Sequence, residues 1–267
     1  MTRHARHPVV LSIAGSDSAG LAGIQADLKT FAALDVHGIT AVTAVTAQNS
    51  RVVVATRAVP PALLLSQLEA LHADFRIAAV KIGMLGSAAI ARTVADWIEH
   101  IEARNVVLDP VLVASSGRAL LSAAGLRVLR ARLLPLATVV TPNLPEAAAL
   151  LGRPIAAAGD LPETAIALRR LGARAVLLKG GHARGRADFI RDCYADARGE
   201  REFVHARLPF AARGTGCTLS SAIAVGLARG KPLRTAVDDA EAYLQRCYRR
   251  ARLVGRGAAR ALGHADG

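Results

Sequence analysis

Short runs of Val, Ile, Leu and Ala alternate along the chain with longer segments of helical period, and this alternation limits the fold more than any other feature. The runs are Val9 to Ala14, Ile39 to Ala47, Ala78 to Ile82, Asn105 to Leu108, Thr138 to Thr141 and Ala175 to Lys179. Helical patterns fall at Ile24 to Leu34, Pro61 to Ala73, Ala88 to His100, Ala123 to Leu133, Leu144 to Leu151, Glu163 to Leu171, Thr218 to Ala228 and Leu233 to Leu253. Strands that are apolar at consecutive positions are buried on both faces, as happens when crossover helices cover a parallel sheet above and below. The expectation is an α/β fold of three layers, α/β/α, around a central, mostly parallel sheet. No Pro/Ser-rich linker and no repeat divides the chain, so residues 1–267 are expected to form a single domain with loose extreme termini.

Composition narrows the classes. At 267 residues and 52% hydrophobic content, the chain can bury a large core. Its alanine-rich segments are broken by Arg, Asp, Glu or Gly well short of the about 18 apolar residues of a membrane helix, so no membrane partner is expected. Basic residues ahead of Val9 to Ala14 weakly imitate a secretion signal, but the apolar part runs into a Gly-rich turn and reads as a buried first strand. Cys193, Cys217 and Cys247 are odd in number and lack metal-ligand spacing, which fits free thiols in a cytoplasmic protein. The net charge of +13 is spread over helical faces, and aromatic residues make up 3%, so a nucleic-acid partner is not expected. Lysine is used only at Lys29, Lys81, Lys179 and Lys231, and Lys81 and Lys179 each end an apolar run just before glycine. Ligands of such sheets gather at that end of the strands.

The sharpest local signal is Gly214-Thr215-Gly216-Cys217-Thr218 at the start of a helical pattern. Glycines around a hydroxyl residue let backbone N–H groups converge, and a helix N-terminus adds unpaired donors and a positive dipole end. Together they form an anion hole suited to the charge of a phosphoryl group in transfer. Cys217 lies in the first turn, where the dipole favours a thiolate able to take a proton from an attacking hydroxyl. A small buried cysteine beside turn glycines is the competing reading.

Other strand ends carry polar groups that are each open to two readings. Asn143 and Glu146, in Thr141-Pro142-Asn143-Leu144-Pro145-Glu146, either face phosphate and Mg²⁺ or simply cap a helix. Asp109, before Pro110, either helps to hold Mg²⁺ or forms a turn. Lys179, followed by Gly180-Gly181-His182, either reaches nucleotide phosphates or is merely exposed. The loop Gly15-Ser16-Asp17-Ser18-Ala19-Gly20-Leu21-Ala22-Gly23 lacks a Gly-Lys-Ser/Thr ending and is not a P-loop. Its small residues admit a flat ligand, Gln48 offers a carboxamide for an aminopyrimidine edge, and Met84 is either a ring contact or core.

As a set, these stretches closely resemble the hydroxymethylpyrimidine/phosphomethylpyrimidine kinases of thiamine biosynthesis, a branch of the ribokinase superfamily. Also matching are Ala22-Gly23-Ile24-Gln25-Ala26-Asp27-Leu28-Lys29-Thr30-Phe31, Thr46-Ala47-Gln48-Asn49 and Lys81-Ile82-Gly83-Met84-Leu85. The resemblance implies a ribokinase-like fold and transfer of the ATP γ-phosphate to 4-amino-5-hydroxymethyl-2-methylpyrimidine, and then to its monophosphate. It implies that Gly15, Ala22, Asp27, Gln48 and Met84 meet the pyrimidine, that Lys179, Asn143 and Thr215 meet the nucleotide, and that Asp109 and Glu146 hold Mg²⁺. Cys217, with Gly214, Thr215 and Gly216, becomes the catalytic centre, and a homodimer is expected. The chain departs from the pattern with Ala19 and Leu21 where the loop is usually richer in glycine, and with Arg213 where a histidine is common. A pyridoxine/pyridoxal kinase and a degenerate pyrimidine-binding regulatory protein are the alternatives.

Overall fold

The computed structural model describes residues 7–113, 117, 119–155, 161–181 and 188–265. Strands β1 (Val9–Asp17), β2 (His37–Gln48), β3 (Val53–Ala58), β4 (Ile77–Ile82), β5 (Val106–Leu108), β6 (Val139–Val140), β7 (Val176–Lys179), β8 (Phe189–Asp196) and β9 (Gly199–Ala206) form one sheet in the order 3-2-1-4-5-6-7-8-9. The six from β2 to β7 in that order are parallel, whereas β3, β8 and β9 pair antiparallel at the two edges. A short parallel pair, β10 (Ala212–Arg213) and β11 (Arg260–Ala261), lies apart from it.

Helices α1 (Gly23–Ala33), α8 (Thr215–Ala228) and α9 (Leu233–Arg249) cover one face. The other face carries α2 (Pro61–Asp74), α3 (Ala88–His100), α4 (Ala123–Val128), α5 (Leu134–Leu136), α6 (Leu144–Leu151) and α7 (Leu161–Arg169), with a π-helical turn at Leu129–Leu133 joining α4 to α5. The period-2 pleat divides the strands between two cores. Leu11, Ile13, Val80, Ile82, Val106 and Leu108 face α2 through α7, while Val10, Ala79, Val107 and Leu177 face α1, α8 and α9. The same pleat turns Ser12 and Lys81, both fully buried, toward α1 and α8.

All six apolar runs are strands, and the helical pattern at residues 218–228 begins three residues earlier, so Thr215, Gly216 and Cys217 form the first turn of α8. The edge strands β3 and β9 escape the hydrophobic pattern because they are not buried on both faces, and β8, although buried from Asp192 to Ala195, escapes it because Arg191 and Asp192 interrupt its apolar run. β3 exposes most of its side chains, and β9 carries Glu200, Arg201, Glu202 and His205 along an edge guarded by charge. β1 lies between β2 and β4, and the chain winds outward in opposite directions from that point. A crevice therefore opens beyond the carboxyl ends of β1 and β4.

Helices α8 and α9 pack closely because Gly226 has no side chain: a Cβ there would lie 2.7 Å from the Ala236 Cβ and 3.0 Å from its Cα. Gly226→Val is expected to destabilise the protein by about 1–3 kcal/mol through overpacking. A urea midpoint equal to that of the parent would contradict this packing.

Candidate active site

The loop after β1 is held by its own polar groups. Asp17 accepts hydrogen bonds from the N–H groups of Ala19 at 2.7 Å, Leu21 at 3.0 Å and Ala22 at 2.8 Å, while its own N–H donates to Gln25. Lys29 donates to the Gly20 carbonyl at 2.7 Å. The left-handed positions fall on Gly20 (φ 69°) and Gly23 (φ 57°), so Ala19 and Leu21 impose no strain on the turn.

This loop touches the start of α8 backbone to backbone. Gly214, the N-cap, has φ 77°, and a Cβ on it would sit 2.1 Å from the Leu21 carbonyl oxygen. Beyond it, the first-turn N–H groups of α8 lack intrahelical partners. A Cβ on Gly216 would lie 2.9 Å from Lys179 Nζ and 3.3 Å from Asp109 Oδ2, so the helix start, the lysine and the carboxylate meet at one point. Lys179, at the end of β7, pairs with Asp109 at 3.1 Å. Burial pulls the Lys179 pKa down, but the charges of Asp109 and Glu146 more than offset this and leave it raised. The ammonium is therefore kept.

Asn143 and Glu146 form a capping box at α6: Asn143 Oδ1 accepts the Glu146 N–H at 2.9 Å, and Glu146 Oε2 accepts the Asn143 N–H at 2.8 Å. One oxygen of each is thereby committed to the helix, which is the structural reading of that motif, although both residues also line the cavity. Burial lifts the Glu146 acid to about 7; Lys179 pulls it down and the Asp109 charge pushes it further up.

Two expectations are corrected. The Cys217 thiol is not activated at rest: burial pushes it up to about 11, against the pull of the Lys81 charge and of the Gly23 N–H. Asp27 does not face a ligand. It is fully buried beneath the cavity, where it pairs with Lys81 at 2.9 Å and accepts hydrogen bonds from Ser12 and, at 2.8 Å, from Ser221. Lys81 is held above its ordinary pKa because Asp27, with Cys217 and Asp109, outweighs the opposing effect of burial. The lysine's place at a strand end was legible, but its partner 54 residues away was not.

A cavity of about 1100 Å³ gathers Gly15, Ala22, Gln48, Met84, Asp109, Asn143, Glu146, Lys179, Gly214, Thr215, Gly216 and Cys217. Gly15 makes room for Met84, whose sulfur would be 3.0 Å from a Cβ there. Arg213 is buried beside the anion hole, with one guanidinium N–H 3.5 Å from the Ser50 carbonyl. Tyr248, which sequence reasoning did not single out, lines the same cavity as Thr215. His182 lies outside the described residues. The three cysteines are free thiols.

The model of the family described as phosphomethylpyrimidine kinase matches residues 17–261. The chain belongs to that family. It is 48% identical over 239 residues to the hydroxymethylpyrimidine/phosphomethylpyrimidine kinase of Rhizobium meliloti (strain 1021), covering 88% of each chain. It is 46% identical over 249 residues to the thiamine biosynthesis bifunctional protein ThiED of Geobacter sulfurreducens, covering 93% of this chain and 50% of that protein. Among solved structures, an ADP complex of Bacillus subtilis pyridoxal kinase superimposes with a TM-score of 0.87 at 31% identity, over 97% of this chain and 98% of that one. The fold is thus the ribokinase-like one of these vitamin kinases.

In this phosphomethylpyrimidine kinase, removing one member of the buried pair leaves a charge without compensation. Asp27→Ala is expected to lower stability by about 3–5 kcal/mol, measured by chemical denaturation. A loss under about 1 kcal/mol would show that the pair is dispensable.

Proposed function

We infer that this kinase transfers the γ-phosphate of ATP to the hydroxymethyl oxygen of 4-amino-5-hydroxymethyl-2-methylpyrimidine and then phosphorylates the monophosphate, as a step of thiamine biosynthesis. The observation that carries the reading is the convergence of the α8 N-terminus, Lys179, Asp109 and Cys217 on one cavity. At about 1100 Å³ it exceeds the roughly 300–1,000 Å³ of a single-ligand pocket and has room for a small acceptor beside a nucleotide.

The acceptor fits the half of the cavity between the loop after β1, Gln48 and Met84. Gln48 supplies a carboxamide able to donate and accept at the aminopyrimidine edge, and Gly15 and Ala22 keep the backbone close to the ring. The nucleotide fits the half that holds Lys179, Asn143, Thr215 and Tyr248. Phosphoryl transfer passes through a loose transition state, so position and charge stabilisation supply most of the rate. The α8 N–H groups and Lys179 are the fixed donors for the equatorial oxygens. Cys217 rests as a thiol next to Lys81 and in that form takes no proton, so the acceptor hydroxyl loses its proton late, to an oxygen of the transferred phosphoryl group as the O–P bond forms and the bond to the ADP oxygen breaks.

Asp109 and Glu146 fit Mg²⁺: they are oxygen donors, they repel one another, and Lys179, paired with Asp109, is the nearby cation whose charge acts on both. Once bound, that ion supplies charge neutralisation on the phosphates. The homodimer and the cytoplasmic location are carried by the family resemblance, and no helix among the described residues is long and apolar enough to cross a membrane.

The likeness in fold to a pyridoxal kinase makes pyridoxal the discriminating competitor. In an ADP-release assay, the free pyrimidine and its monophosphate are each expected to be turned over with a kcat/KM above that for pyridoxal. A larger value for pyridoxal would reverse the substrate assignment, and the absence of ADP formation with all three would favour a binding protein.

A further inference from the structure

Outside the transfer site, the β8–β9 edge carries a second polar cluster. In the antiparallel register Asp192 faces Phe203 and Ile190 faces His205, so Asp192 and His205 are diagonal neighbours on one face of the sheet. Helix α9 covers that face. Asp238 ties it to Arg201 of β9 at 2.7 Å, and Glu241, one turn further on, descends onto His205. Asp192, His205 and Glu241 each present a ligand atom, and these atoms lie within 4.8 Å of one another.

Glu241 is the second observation. The residue is 2% exposed, and neither carboxylate oxygen has a hydrogen-bond partner among the described residues. Its Oε2 lies 3.1 Å from His205 Nε2, a nitrogen that also lacks a hydrogen bond. A carboxylate taken out of water with both oxygens unsatisfied costs several kcal/mol unless a cation meets it. Asp192, buried in the same cluster, uses one oxygen to accept the Gly180 N–H at 2.7 Å. Its acid is lifted to about 7, first by burial and then by the Glu241 charge. Glu241 holds the His205 imidazole above its ordinary pKa, so the cluster sets two desolvated carboxylates against a single imidazolium charge.

We propose that Asp192, His205 and Glu241 form a binding site for a borderline divalent transition ion of the Zn²⁺ class, separate from the Asp109–Glu146 pair. One imidazole nitrogen and two carboxylate oxygens suit such an ion, whereas Mg²⁺ prefers oxygen and water alone. Tetrahedral ligands at Zn²⁺ distances are about 3.4 Å apart, so side-chain adjustments within the 4.8 Å cluster close the site. Three protein ligands leave a fourth position, and Asp192 and His205 line the main cavity, which gives the ion a route in. The ion would clamp α9 to the β8–β9 edge and, through the Asp192 bond to Gly180, steady the turn that follows Lys179.

The test uses the full chain, stripped with EDTA and kept in excess Mg²⁺ without nucleotide. Co²⁺ titration is expected to saturate at one equivalent with a visible d–d band, and saturating Zn²⁺ at about 100 Kd is expected to raise Tm by roughly 5 °C or more. Glu241→Gln and His205→Gln should each abolish the band and the Tm shift, while Glu146→Gln keeps both. A parent protein with neither band nor shift would overturn the proposal and leave His205–Glu241 as an ion pair alone. So would a Glu241→Gln variant that is folded by circular dichroism and still binds one equivalent.

Discussion

Lys81 and Asp27 form an ion pair sealed from water, and the architecture of the site rests on it. Lys81 comes from β4, Asp27 from α1, and the hydroxyls that complete the carboxylate's shell come from β1 through Ser12 and from α8 through Ser221. Four elements therefore meet at one carboxylate, directly under the turn that carries Cys217. Such pairs contribute little net stability compared with an apolar replacement of the same shape, but they tolerate only one arrangement of their partners. That intolerance fixes the start of α8 relative to the ends of β1 and β4. Gly214 completes the arrangement by letting the helix N-cap rest on the Leu21 carbonyl, so the loop after β1 and the start of α8 are packed backbone to backbone.

The charges above this pair are arranged for a guest of opposite sign. Lys179 and the unpaired N–H groups of α8 present positive charge to the cavity, while Asp109 and Glu146 hold the lysine in place and offer oxygen donors of their own. Burial that keeps water out also pushes the Cys217 thiol up to about 11. A helix dipole at the first turn does favour a thiolate, yet here desolvation is the larger effect. The site therefore stabilises transferred charge more than it prepares a base in advance, which suits a reaction with a loose transition state.

The central sheet was legible in the sequence because strands buried on both faces leave apolar runs at consecutive positions. The edges were not: β3, β8 and β9 alternate or expose charge, and their pattern resembles that of loops. The spacing of the motif at 214–218 left an anion hole and a small buried cysteine beside turn glycines equally open, and what the fold adds is the helix start at Thr215 facing the cavity beside Lys179 and Asp109. Asn143 and Glu146 show the limit of such reasoning, because one spacing serves both a capping box and a cavity wall and the structure uses it for both. Asp27 and Lys81 lie outside what local pattern conveys. Their meaning comes from a contact across 54 residues, and the raised Cys217 pKa depends on packing that no single segment encodes.

On this reading the phosphoryl group is transferred where the first turn of α8 meets Lys179. Gly216 is the place to test it. Its backbone is not left-handed, so alanine there is compatible with the helix, and the nearest obstacle is the flexible end of Lys179. The added methyl would stand 2.9 Å from the ammonium and 3.3 Å from Asp109, inside the space assigned to the migrating group. Steady-state kinetics of Gly216→Ala, run beside its thermal unfolding, separates the two effects. A fall in kcat of about 100-fold or more with Tm nearly unchanged is expected. Parental kcat in a stably folded Gly216→Ala protein would contradict it.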